Sequence, residues 1–117
     1  MQMLLAFDAE YRVYRDVIAG ALRALRPRAK VSTSTLEELG AQIEAFDPDL
    51  AISTRSNSVD PGGRHAWVEL SVDPLRPTKI CVGGCRSERT NPSVEMLLTV
   101  VDEVERVVAE GDDPRGC

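Results

Sequence analysis

The sequence is poor in the residues that build metal centres and acid–base sites. Its 117 residues include three cysteines and a single histidine, His65. Cys81 and Cys85 are four positions apart, and with one histidine they leave a structural zinc site short of ligands. A lone histidine also has no partner that would orient it as a general base. We therefore predict no bound metal, no cofactor and no catalytic residue, and so no enzymatic activity.

Long apolar runs and excess positive charge are also missing. No run approaches the roughly 20 apolar residues that span a bilayer, and the N-terminus lacks the segments of a signal peptide. These absences predict a cytoplasmic protein without membrane contact. The formal net charge is −5. Because nucleic-acid-binding domains carry a basic footprint, we expect no direct contact with nucleic acid.

The first half of the chain alternates short apolar strands with amphipathic helices. Residues 2–7 predict a buried strand and residues 10–25 a helix. The apolar face of that helix is formed by residues at three- and four-residue spacings, namely Tyr14, Val17, Ile18, Ala21, Leu22 and Leu25. A short polar strand over 29–33 is expected at a sheet edge. Thr35 and Glu38 have the spacing of a capping box that begins a second helix. Residues 49–53 predict a third strand, and the whole pattern is typical of an α/β fold.

In the second half of the chain, strands and loops follow one another without a helix until the last segment. This half consists of a polar loop (54–65), a fourth strand (66–72), a turn with two prolines (73–77), a fifth strand (78–82), a second loop (85–90) and a helix that starts at Asn91-Pro92. The short turn favours an antiparallel hairpin, since a parallel crossover needs about a dozen residues or more. We predict a three-layer α/β domain over 1–110, in the order β-α-β-α-β-β-β-α with five strands and three helices, and a flexible acidic tail over 111–117.

The chain resembles the receiver domain of bacterial two-component response regulators, which has a flavodoxin-like fold. The resemblance rests on Leu4-Leu5-Ala6-Phe7-Asp8, the helix bearing Arg12 and Leu22, and the run from Asp47 through Thr54. Receivers hold magnesium with an acid pair after the first strand and accept phosphate on an aspartate that ends the third. A hydroxyl residue ending the fourth strand and a lysine ending the fifth contact that phosphate. The resemblance therefore implies a role in signal transduction.

Carried over residue by residue, the receiver site is incomplete. Asp8 fits one member of the acid pair, but Ala9 follows it, and Glu10 is a substitute one place late. The phosphoacceptor position falls on Thr54, or on Ser53 if the strand slips by one, and Ser71 stands for the hydroxyl residue of the fourth strand. The lysine position falls near Gly83-Gly84, and Lys79 lies at the start of its strand, which is the wrong end for that role. Asp8, Glu10, Thr54 and Ser71 thus form a vestigial site, although Asp8 also fits the role of a helix N-cap.

A non-catalytic pseudo-receiver that acts through protein–protein contacts is the function that this pattern favours. On the last helix Met96, Val100 and Val107 widen the apolar face beyond the stripe needed to cover a sheet. That surplus predicts a homodimer through this helix. The alternative is that a small sheet simply needs more cover.

A second hypothesis is a domain that binds a small anion, such as phosphate or a nucleotide, at the carboxyl edge of the sheet. Glycines at 83 and 84 would let the backbone approach an anion, and a helix start at Asn91 would offer free amides. These three residues are the candidate anion site.

Overall fold

The computed structural model describes residues 1–56, 66–90 and 93–111. Its strands are β1 (Gln2–Phe7), β2 (Lys30–Thr35), β3 (Leu50–Ser53), β4 (Ala66–Glu69), β5 (Thr78–Val82) and β6 (Cys85–Arg89). Its helices are α1 (Arg12–Leu25), α2 (Leu39–Phe46) and α3 (Val94–Ala109), and a short 3-10 helix (Ala9–Tyr11) precedes α1. The predicted α/β class is confirmed.

The six strands form one mixed sheet in the order β2-β1-β3-β4-β5-β6. β1, β2, β3 and β4 run parallel, whereas β5 is antiparallel to β4 and β6 is antiparallel to β5. The antiparallel hairpin expected between the fourth and fifth strands is confirmed. β2 lies at one edge, as its polar sequence suggested.

The predicted strand count and element order are wrong. The segment 85–90, for which the sequence predicts a polar loop, contains β6. The element order is therefore β-α-β-α-β-β-β-β-α. All five residues of β6 are exposed, so the strand carries none of the apolar alternation by which a strand is recognised in a sequence. Its presence follows instead from the tight turn that joins it to β5.

Helices cover the two faces of the sheet unequally. On one face α1 and α3 enclose the larger core, which includes Met3, Leu5 and Phe7 of β1. On the other face α2 packs on Leu4 and Ala6 through Leu39 and Ile43. The alternation of β1 residues between two cores gives the predicted three layers. Within 1–56, 66–90 and 93–111, no helix covers β5 or β6 on the α2 face.

The helix starts differ from the sequence expectations. α3 begins at Val94, and Ser93 caps it by accepting a hydrogen bond from the Met96 N–H at 3.2 Å, so the start predicted at Asn91-Pro92 is wrong. Asp8 stands at the N-cap of the 3-10 helix but makes no capping bond with its side chain. The predicted Thr35 contact is present, because its hydroxyl accepts from the Glu38 N–H at 3.3 Å.

One bidentate ion pair joins the end of α1 to α3. The Arg26 guanidinium donates to both carboxylate oxygens of Asp102, at 2.6 and 2.7 Å. This hydrogen bonding lowers the pKa of Asp102 and raises the pKa of Arg26. The pair thus links the two helices that cover the larger core.

We expect Asp102→Asn to lower the melting temperature slightly at neutral pH. Because the pKa of Asp102 is lower in the folded than in the unfolded state, its contribution is present above the unfolded pKa and is lost as pH falls through the folded one. The difference in melting temperature between variant and wild type should therefore vanish in strongly acidic buffer. It should also shrink in 1 M salt, because a Debye length of about 3 Å screens the attraction between the two charges. A difference independent of pH would contradict the role of the ion pair. Thermal melts over a pH series check this.

The remaining sequence predictions concern the membrane and the tail. Searching the described part of the chain finds no helix long and apolar enough to cross a membrane. The predicted tail falls outside the described residues except for Gly111. Most of the predicted loop over 54–65 also lies outside them, so both remain predictions.

Candidate functional site

A cleft of about 550 Å³ lies where β1, β3 and β4 end and β5 begins. Its lining comprises Asp8, Thr54, Glu69, Leu70, Ser71, Val72, Asp73, Arg76, Pro77, Lys79 and Glu88. Three of the four residues assigned to the vestigial receiver site, Asp8, Thr54 and Ser71, therefore meet in one place. Glu10 is not among the lining residues and is exposed on the 3-10 helix.

Thr54 connects the ends of two strands. Its hydroxyl oxygen accepts a hydrogen bond from the Asp8 N–H at 3.3 Å, and its own N–H donates to the Ala6 carbonyl at 3.4 Å. The residue that the sequence comparison with receivers assigned to the phosphoacceptor position thus joins the ends of β1 and β3. A threonine hydroxyl at this place cannot form an acyl phosphate, which requires a carboxylate.

Ser71 is committed to the turn that follows β4. Its hydroxyl donates to the Asp73 carbonyl at 2.8 Å and accepts from the Asp73 N–H at 3.2 Å. The Ser71 N–H donates to the hydroxyl of Thr78, a fully buried residue, at 3.0 Å. The N–H and the hydroxyl of Ser71 are therefore both hydrogen-bonded within the segment that joins β4 to β5.

The direction of β5 brings Lys79 to the cleft. Since β5 is antiparallel to β4, its first residues lie beside the last residues of β4, and Lys79 is opposite Glu69. The expectation that Lys79 lies at the wrong end of its strand is therefore wrong. On the other side Lys79 is opposite Glu88 of β6, so two carboxylates flank its ammonium group in the register of the sheet.

The cleft carries more negative than positive charge. Four carboxylates line it, from Asp8, Glu69, Asp73 and Glu88, against the two cations Arg76 and Lys79. Arg76 lies 3.9 Å from Asp73. Despite these carboxylates, the described residues contain no group of three or more histidine, cysteine or acidic side chains that could hold a metal ion.

The glycines predicted to approach an anion lie at the opposite edge of the sheet. Gly83 and Gly84 form the two-residue turn between β5 and β6, with φ values of 58° and 79°. Two successive positive φ angles fit the type I′ hairpin turn, which explains both glycines. Asn91 lies outside the described residues, so an anion site that includes it remains a prediction.

The apolar face predicted for a dimer is largely part of the core. Val100 is only 5% exposed, while Met96 and Val107 are half-buried against the same core cluster. The interpretation that α3 covers the sheet with this wide face is the one that the burial favours. A dimer through these three residues would have to use side chains that already pack within the protein.

Within the described residues, the largest group of exposed apolar side chains lies on α1. Val13 is 72% and Val17 62% exposed, Leu25 is half-exposed, and Tyr14 is partly exposed while its ring packs at 6.0 Å from that of the buried Phe7. They lie within an arc of about 120° when each residue advances 100° around the helix. We call these four residues the α1 stripe.

The sequence placed Val17 and Leu25 on one apolar face of α1 with Ile18 and Leu22, and the structure corrects this, because Val17 and Leu25 are exposed. Arg15 and Arg23 donate to the β2 carbonyls of Ser34 and Val31, at 2.9 and 3.0 Å. These bonds fix the face of α1 that lies next to the sheet edge, where only Ile18, Ala19 and Leu22 are buried. These guanidinium contacts join α1 to β2 and leave no periodic pattern in the sequence.

A second pocket, of about 560 Å³, lies on the α2 side of the sheet, over the part of β4, β5 and β6 that α2 does not reach. Trp67, Cys81 and Arg86 line it together with Glu69, Lys79 and Glu88. The register places Glu69, Lys79 and Glu88 in one row across β4, β5 and β6. Charges of alternating sign therefore cross this face of the sheet.

Comparison with protein-family models, with curated proteins and with solved structures gives no match to this chain.

Proposed function

We propose that the chain is a receiver-like module that does not transfer phosphate and acts by binding another protein. The observation that carries this proposal is the state of the cleft. Thr54 stands where an acceptor carboxylate would be, and the hydroxyls of Thr54 and Ser71 are already used to hold the strand ends and the turn. The two hydroxyl residues that would correspond to the phosphate-contacting residues of a receiver thus make hydrogen bonds that stabilise the fold.

The α1 stripe supports the second part of the proposal. Apolar side chains that are grouped on one exposed helix face mark a binding surface more often than single exposed apolar residues do. The arginines that hold α1 on β2 keep this face directed away from the sheet. A partner with a complementary apolar surface would bury these four side chains without rearrangement of the fold.

The alternative, a site for a small anion, has less support. Arg76 and Lys79 do line the cleft, but four carboxylates outnumber them. Gly83 and Gly84 lie at the other edge of the sheet. A thermal-shift series with phosphate and nucleotides distinguishes the two functions, because an anion site predicts stabilisation that rises with ligand concentration. We expect no shift.

We expect the double variant Val13→Glu/Val17→Glu to lose a partner that the wild type captures from its native host. Two carboxylates in an apolar contact would be desolvated without pairing, which is strongly unfavourable. The matched control is Leu75→Glu, since Leu75 is 90% exposed in the turn after β4 and lies outside the α1 stripe. Quantitative pull-down measures this. Equal capture by both variants would contradict the assignment of the α1 stripe, and melting curves exclude unfolding as the cause.

A further inference from the structure

β6 forms an open edge of the sheet. It pairs with β5 on one side, and among the described strands none lies on its other side. All of its residues, Cys85 to Arg89, are exposed. A strand in this position presents unpaired N–H and C=O groups, to which a strand of another chain can add.

The hairpin geometry determines which backbone groups point outward. Val82 and Cys85 flank the two-residue turn, and the pair flanking such a turn is hydrogen-bonded; hydrogen-bonded and non-hydrogen-bonded pairs then alternate along the ladder. Cys85, Ser87 and Arg89 thus direct their backbone groups to β5. The groups of Arg86 and Glu88 face the open edge.

Two β6 strands are complementary when they run antiparallel about Ser87. In that register Arg86 of one copy is opposite Glu88 of the second copy, and the reverse holds by symmetry. Because these are the two residues whose backbone groups face outward, each pair can exchange both hydrogen bonds. A parallel arrangement in register would instead bring like charges together, which is unfavourable.

The alternation of charge within the sheet extends across the contact between the two β6 strands. Glu69, Lys79 and Glu88 form a row of alternating sign within one copy. Addition of the second copy places its Arg86 next in that row. Opposite charges directly across strands stabilise pairing, so the whole row favours this partner over an uncharged strand.

We infer that two copies of this chain pair through their β6 strands, antiparallel about Ser87, into a two-fold symmetric dimer with one continuous sheet. The interface uses a different surface from the α1 stripe, and it does not depend on the proposed function. A two-fold dimer is the commonest symmetric assembly, and its self-complementary contact is the kind that β6 offers.

Sedimentation equilibrium of the full chain tests the dimer. We expect a dimer at about 100 μM, a high concentration chosen because small interfaces bind weakly. Arg86→Glu and Glu88→Arg should each weaken dimerisation by about tenfold or more, because each places like charges opposite one another. An equimolar mixture of these two variants should recover the dimer, since Glu at 86 of one then meets Arg at 88 of the other. The double variant Arg86→Glu/Glu88→Arg should recover it as well.

Two results would overturn the inference. One is a wild-type chain that stays monomeric at this concentration, and the other is a dimer that both single variants leave intact. If either single variant loses its folded circular dichroism spectrum, a cross-linking experiment tests the dimer instead. Ser87→Cys in a Cys85→Ser background should form a disulfide-linked dimer on mild oxidation, since Cα atoms of a non-hydrogen-bonded antiparallel pair are about 4.5 Å apart. Absence of that cross-link would equally overturn the proposed register.

Discussion

Val100→Glu is expected to destabilise the protein by more than about 4 kcal/mol, which is a large part of the stability of a domain of this size. Val100 is 5% exposed and belongs to the core between α3 and the sheet. The substitution would bury a carboxylate among apolar side chains without a partner. Urea denaturation followed by the fluorescence of Trp67 measures the effect.

Val17→Glu is the matched control for this experiment. It makes the same chemical change on a helix, but Val17 is one of the exposed residues of the α1 stripe. We expect its free energy of unfolding to stay within about 0.5 kcal/mol of the wild type, as is usual for surface substitutions. If Val100→Glu were instead as stable as Val17→Glu and only changed the oligomeric state, the outer face of α3 would be an interface and the present account of the core would be wrong.

Trp67→Ala is expected to cost about 3–5 kcal/mol. Trp67 is 3% exposed and belongs to the smaller core with Leu4 and Leu39, where the loss of an indole leaves a large cavity. Its Nε1–H donates to the Arg55 carbonyl at 3.0 Å. The substitution therefore removes both packing and a hydrogen bond.

Trp67→Phe separates these two contributions. It keeps most of the ring volume but leaves the Arg55 carbonyl without this donor, so we expect a smaller loss, on the order of 1–3 kcal/mol. Denaturation followed by circular dichroism compares both variants with Leu75→Ala, which should match the wild type. A Trp67→Ala variant as stable as Leu75→Ala would show that the face covered by α2 does not contain a core.

The parts of the fold that the sequence predicted are those where periodicity and burial coincide. β1 is buried on both faces, and the Thr35 hydroxyl accepts from the Glu38 N–H in the turn before α2. The sequence shows the first as an apolar run and the second as the spacing of Thr35 and Glu38. The polar edge strand β2 and the hairpin of β4 with β5 followed from composition and turn length. Each of these features, the apolar run, the spacing, the composition and the turn length, depends only on residues that are close together in the sequence.

The parts that were missed depend on contacts between distant residues. β6 has no apolar residue that faces the core, so its strand structure comes from pairing with β5. On α1, Arg15 and Arg23 donate hydrogen bonds to carbonyl groups of β2 and so contribute to the orientation of the helix. Neither the pairing nor the guanidinium contacts leave a local pattern.

The candidate site shows the same division. The positions of Asp8 and Thr54 follow from the ends of two parallel strands, and the sequence predicted that they meet. Lys79 and the two glycines were misplaced, because the direction of β5 exchanges the edges at which its two ends lie. A lysine at the start of an antiparallel strand reaches the same edge as one at the end of a parallel strand.

Mass spectrometry of the intact protein after incubation with acetyl phosphate and magnesium tests the central claim most directly. We expect an unchanged mass, because in the proposed correspondence Thr54 stands at the acceptor position, and its hydroxyl accepts from the Asp8 N–H. A covalent phosphate adduct that hydroxylamine removes would identify an acyl phosphate and would contradict the account.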